Sequence, residues 1–212
     1  GHTVQMFNVE TYELIGAPID VGLAPAAITA DRKYVYTANY VDGNPNTGTI
    51  SKIRIRNNTL HSTIGPFPEN GISGPFDIVV RKHQAFVTNF GSNNFEPFGT
   101  TISIINLRTN EIDNTVTVGI QPSGIAIDGR YAYVTNYNTL YAYVQRDPPP
   151  AQYMNLTPGR GTVNVIDLHN LCVVKTIPVD QSPSYIAISP NGRFAYVTTY
   201  TSNVVNVIEL KN

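Results

Sequence analysis

Ala132-Tyr133-Val134-Thr135-Asn136-Tyr137 is a run of small, aromatic and β-branched residues that closes on a polar pair and a ring, the composition of a strand. The chain spells it three more times, as Val35-Tyr36-Thr37-Ala38-Asn39-Tyr40, Ala85-Phe86-Val87-Thr88-Asn89-Phe90 and Ala195-Tyr196-Val197-Thr198-Thr199-Tyr200. The first rings of successive copies stand 50, 47 and 63 residues apart. Self-similarity at such a period marks a solenoid or a propeller.

Aligned on this segment, each copy resolves into four strand-like stretches. The first starts at a proline (Pro25, Pro75, Pro122, Pro183), which is tolerated at a strand entrance because no ladder donor is lost there. A short polar turn such as Asp128-Gly129-Arg130 leads into the aromatic strand. A third stretch alternates with period two and recurs five times, from Thr3-Val4-Gln5-Met6-Phe7 to Val204-Val205-Asn206-Val207-Ile208. The fourth, as in Val173 to Val179, returns to the next proline. Four short strands per unit and no helical period describe an all-β propeller of four-stranded antiparallel blades, four to five in number. The expected domain is 1–212, with repeat units at about 3–48, 49–100, 101–161 and 162–212.

The Tyr-Val-Thr-Asn core at Tyr133 to Asn136, with near-copies at Phe86 to Asn89 and Tyr196 to Thr199, resembles the YVTN β-propeller repeat family, related in architecture to WD-repeat and lactonase-type propellers. The resemblance implies a surface or exported protein, extracellular or exposed on a cell or particle. Two copies depart from the pattern, with Ala38 in place of the threonine and Thr199 in place of the asparagine.

Two stretches precede the first proline, three sets of four follow, and three stretches close the chain, 17 strands in all. The ends therefore do not add up to one blade. The expectation is a terminal strand packed outside a small ring, or a propeller completed by a second copy or by further sequence, so homo-oligomerisation through unpaired terminal strands is one expected partnership.

Loops joining strand two to three and strand four to one emerge on one face of such a fold, and these are the long ones. The link after Tyr137 runs from Asn138 to Gly161 and carries Tyr141, Tyr143, Arg146 and Tyr153; others carry Phe67, Phe95 and Phe98. Aromatic and arginine side chains dominate binding hot spots, so this loop face is the first candidate for capture of a protein or carbohydrate. The second is the channel mouth, where Asp77 and Tyr185 stand two residues after their prolines and Asn39, Asn89 and Asn136 end the aromatic strands.

Composition narrows the classes. Lys+Arg 14 against Asp+Glu 15, with no run of either sign, gives no footprint for nucleic acid. No apolar stretch is long enough for a membrane span. Charged residues are 14% of the chain, below the average of about 25%. Cys172, the one cysteine, sits in the apolar run Leu171-Cys172-Val173-Val174, where a buried, inert thiol is expected. The four histidines show no metal-ligand spacing. Asp42-Gly43-Asn44-Pro45-Asn46 imitates the opening of a calcium loop, but Ile53 stands where the twelfth-position Glu belongs.

With no nucleophile elbow or phosphate loop, the expected role is a non-catalytic binding or scaffold module that needs no cofactor. The alternative is a metal-dependent lactonase- or esterase-like hydrolase, which would hold Ca²⁺ or another divalent cation in the central channel beside Asp77.

Overall fold

A computed structural model of the protein describes residues 1–40, 48–66, 74–91, 98–138 and 160–210, together with the backbone of 141–144 and 152–155. Its regular elements are strands. The entrance prolines open β3 (Pro25–Ala30), β7 (Pro75–Arg81), β11 (Pro122–Asp128) and β17 (Pro183–Ile188). The aromatic segments are β4 (Tyr34–Asn39), β8 (Gln84–Gly91), β12 (Tyr131–Asn136) and β18 (Phe194–Thr199). The alternating stretches are β1 (Thr3–Phe7), β5 (Thr49–Arg54), β9 (Phe98–Asn106), β15 (Thr162–Asp167) and β19 (Val205–Glu209). Fourth positions are β2 (Leu14–Asp20), β6 (Thr59–Ile64), β10 (Glu111–Thr117) and β16 (Cys172–Pro178). The long link after Tyr137 adds a hairpin, β13 (Tyr141–Val144) with β14 (Gln152–Asn155).

Three complete antiparallel blades result: β3-β4-β5-β6, β7-β8-β9-β10 and β11-β12-β15-β16. A fourth, β17-β18-β19, has three strands, and β1-β2 forms a separate pair at the other end. The inner strands β3, β7, β11 and β17 lie side by side in that order, but the packing that joins each to the next does not recur between β17 and β3. This is an incomplete propeller.

The core lies between blades. Tyr36, Ala38 and Ile50 of the first meet Ile78, Ala85, Val87 and Ile105 of the second. Phe86, Ile102 and Ile104 meet Ile125, Ala132, Val134 and Ile166. Tyr133, Val163 and Val165 meet Ile186, Ala195 and Val197. The middle strands β8, β9, β12 and β15 thus bury alternate residues against the blades on either side, which is why their period-two pattern is apolar on both faces. A fully buried isoleucine or valine contributes roughly 1.5–3 kcal/mol.

The last blade keeps the pattern without the cover. Tyr196 pairs with Val207 as Tyr133 pairs with Val165, yet Tyr196 and Val207 are 42% and 58% exposed where Tyr133 and Val165 are 7% and 8%. At the opposite end Ile28 is 59% exposed, whereas Ile78, in the same place on the second blade, is 3%.

The expectation for Cys172 is corrected. It opens β16, the outermost strand of its blade, and is exposed; the apolar letters around it belong to a strand covered on one side.

Candidate functional site at the channel mouth

Every inner strand begins with the same device. The residue before each entrance proline has positive φ, Ala24 at 48°, Gly74 at 53°, Gln121 at 52° and Ser182 at 55°. A bulge follows each proline, as between Pro75 and Ile78 or Pro122 and Ile125. Left-handed backbone is costly for non-glycine residues, and here a hydrogen bond holds it. The carbonyls of Ala24, Gly74, Gln121 and Ser182 accept the amides of Tyr40, Phe90, Tyr137 and Tyr200 at 2.9, 3.0, 3.0 and 2.9 Å. The ring that closes each repeated segment is therefore pinned by its own backbone at the mouth.

These rings meet. Phe90 packs edge-on against Tyr40 and Tyr137 with centroids 6.3 and 5.9 Å apart. Phe76, from β7, stacks on Phe90 at 5.1 Å and reaches across to Tyr185 of β17 at 6.0 Å. Contacts of this geometry add roughly 0.5–1.5 kcal/mol beyond area burial. They enclose a cavity of about 250 Å³ walled by Phe76, Phe90, Tyr137, Tyr185 and Tyr200, with Ser123 and Ser184 between them.

The hydroxyls inside the wall are committed to the framework. Ser123 Oγ donates to the Pro183 carbonyl at 2.7 Å and lies 2.8 Å from Thr135 Oγ1. Thr135 Oγ1 accepts the Gly124 amide at 2.7 Å. Tyr185 and Tyr200, by contrast, are 48% and 74% exposed. Partial burial, with the Asp77 charge second, pushes the Tyr185 phenol above its usual range. The cavity thus offers ring faces and little polar capacity, an environment suited to apolar or ring-bearing groups.

Asp77 sits below this cluster as a structural acceptor. The Ile125 amide donates to its Oδ2 at 2.9 Å and the Ile78 amide to its Oδ1 at 2.8 Å. Burial outweighs these bonds and raises the carboxyl above its ordinary range. The three asparagines do not form a ring of ligands. Asn39 Nδ2 donates to Thr49 Oγ1 and Ser51 Oγ at 3.1 and 2.9 Å, and Asn89 Nδ2 to Thr101 Oγ1 and Ser103 Oγ, both at 2.9 Å. Asn136 Nδ2 donates to Thr162 Oγ1 and Asn164 Oδ1 at 3.0 and 2.8 Å. Each is buried and ties strand two to strand three of its own blade.

A cation fits this set poorly. Ca²⁺ takes six to eight oxygens; the mouth offers a carboxylate already holding two amides and the orphaned Oδ1 atoms of Asn89 and Asn136. Among the described residues no group of three or more His, Cys, Asp or Glu could hold a metal ion.

Of the loop-face candidates, Phe98 opens β9 and is half-buried. Phe67, Phe95 and Arg146 lie outside the described residues. Tyr141 and Tyr143 stand on β13, and Tyr153 on β14 opposite Tyr143. Tyr185 is in the cavity wall. Sequence reasoning missed Phe76, Phe90, Tyr137 and Tyr200, although three of them are the last letter of the repeat; the regularity that marks framework also places one ring per blade at the mouth.

No protein-family model and no curated protein matches this chain. Solved structures do. A functionally unknown protein from Desulfotomaculum acetoxidans DSM 771 superposes with a TM-score of 0.64 at 14% identity, over 98% of this chain and 62% of that one. Hydrazine synthase of Kuenenia stuttgartiensis gives 0.55 at 15%, over 99% and 78%. The computationally designed Ika4 protein gives 0.59 at 10%, over 89% and 92%. At these identities the likeness is one of fold. No helix among the described residues is long and apolar enough to cross a membrane.

Proposed function

We propose that this protein is a non-catalytic binding module that captures a protein or glycan partner on the loop face of its propeller, at a cell or particle surface. The observation that carries this reading is the aromatic cavity, in which Phe90, Tyr137 and Tyr200 are held by backbone bonds and the Ser123 hydroxyl is used internally. A preorganised apolar recess seats a projecting side chain or sugar ring at low entropic cost. The placement of the partner outside the cell rests on the resemblance to YVTN repeats.

The hydrolase alternative would need a carboxylate free to ligate or to act as a base, and Asp77 has both oxygens engaged with amides. Selection of displayed heptapeptides and a glycan array against the immobilised chain tests the binding reading. Enriched ligands should carry ring-bearing groups and lose most of their affinity on Tyr185→Ala and Tyr200→Ala. Ligands indifferent to both substitutions, or a chelator-sensitive lactone hydrolysis in the purified chain, would overturn it.

A further inference from the structure

The opposite end of the propeller, where the short turns emerge, carries a second cavity of about 420 Å³ on the first blade. Arg32 and Lys33 reach it from the β3–β4 turn, and Arg54 and Arg56 from the end of β5 and the turn after it; Tyr34 forms a wall. None of the four cations forms an ion pair among the described residues. The nearby carboxylate, Asp31, is already in use: its Oδ1 accepts the Lys33 and Tyr34 amides at 2.6 and 2.8 Å and its Oδ2 accepts the Tyr36 hydroxyl at 3.0 Å.

The repeat supplies the control for this cluster. The position opposite the first residue of strand two is Arg54 on the first blade, facing Tyr34; it is Asn106, Asp167 and Glu209 on the others, facing Gln84, Tyr131 and Phe194. The residue just before strand two is Lys33, His83, Arg130 and Arg193 in the same order. On the third blade these two positions neutralise one another, since Arg130 Nε donates to Asp167 Oδ1 at 2.8 Å. The fourth also sets Arg against Glu. On the first blade both are cationic, with Arg32 and Arg56 added and Lys52 Nζ 4.4 Å from the Tyr34 ring centre. Like charges gathered in one recess repel unless an anion joins them.

We propose that this recess binds a tetrahedral oxyanion, a phosphate or sulfate group, between Arg32, Lys33, Arg54 and Arg56 with the Tyr34 ring as its side wall. Arginine forks present paired N–H donors that match two oxygens of such a group at once. The local field is consistent with this: burial first, then the charges of Arg54 and Lys52, hold the His61 imidazole below its ordinary pKa, and Arg54 Nη2 lies 3.0 Å from His61 Nδ1. The site is independent of the channel mouth, so it stands or falls separately from the binding reading above.

Calorimetric titration of the whole chain with inorganic phosphate, inorganic sulfate and glucose 6-phosphate, at ionic strength matched with sodium chloride, tests the proposal. Saturable binding is expected, with Arg54→Asp, the residue β15 carries there, weakening it about tenfold or more. That variant should keep or raise the thermal midpoint without ligand, because it removes a repulsion. Saturating phosphate should raise the titration midpoint of His61, followed by NMR, in the parent chain and not in the variant. Tighter binding of the sugar ester than of inorganic phosphate would identify an esterified ligand, and equal binding the free anion. No saturable heat beyond chloride, or affinity unchanged in both Arg54→Asp and Arg56→Gln, would overturn the site.

Discussion

The Ile125 amide donates to the Asp77 carboxylate across 2.9 Å, so the acidic side chain beneath the channel mouth ties β11 to β7. Removing it as Asp77→Ala leaves the Ile125 and Ile78 amides without their acceptor, which costs about 1–3 kcal/mol. The pH dependence has a definite sign. Burial raises the folded carboxyl above its unfolded value near 3.8. Its contribution is therefore complete below that value and is lost as pH rises through the higher folded pKa. Urea unfolding of the parent chain and Asp77→Asn at pH 4 and pH 7 should show the parent losing stability relative to the variant on the alkaline side; parallel profiles would refute this.

Asp167 behaves in the opposite sense. It is buried, bonded to both Arg130 Nε and Nη2, and accepts the His169 amide at 2.9 Å. The Arg130 hydrogen bond is the largest influence, and the folded carboxyl falls to about 2. Its stabilisation is present above the unfolded value and disappears as pH falls from about 4 towards 2. Arg130→Gln should flatten that acid limb in a thermal-melt series, lowering the midpoint more at pH 7, where the pair contributes fully, than at pH 3 and below. An unchanged acid limb would remove Arg130 as the cause.

The blades were legible because every strand obeys one alternation, and the entrance proline and the closing Asn-aromatic pair punctuate it. What the letters concealed was assignment of polar groups. Asn39, Asn89 and Asn136 read equally well as ligands or as ties, and only the 2.9–3.1 Å bonds from Asn39 and Asn89 into strand three decide for ties. Phe76 and Tyr185 lie on different blades and meet because the bulges after their prolines turn them to the mouth, a geometry with no local signature. The basic recess was hidden for a similar reason: Lys33 and Arg54 are distant in the chain and become neighbours through the β4–β5 register.

If the asparagine of the repeat is a tie, its value lies in its two donors. Asn136→Leu keeps the branched outline of the side chain and removes both bonds to Thr162 and Asn164. It leaves the buried Asn164 oxygen with the Gly119 amide as a remaining donor at 2.9 Å. The loss should be about 1–3 kcal/mol in denaturant unfolding, with the slope unchanged. Asn136→Asp should cost as much or more, since a carboxylate faces two oxygen atoms there. A neutral effect of both substitutions would mean that the sheet is held by its backbone ladder without this side chain.

Val165 and Val207 occupy the same register on successive blades, opposite Tyr133 and Tyr196, and differ in what covers them. Truncating Val165 to alanine removes methyl groups packed among Tyr133, Ile186 and Val197, and should cost about 1.5–3 kcal/mol. The same change at Val207, 58% exposed, should fall within about 0.5 kcal/mol. The pair of measurements reports on the last blade in solution: repeats identical in sequence pattern contribute to stability through their neighbours, so an uncovered face makes its valine dispensable. Equal costs at the two positions would mean that the β17-β18-β19 face is covered in solution.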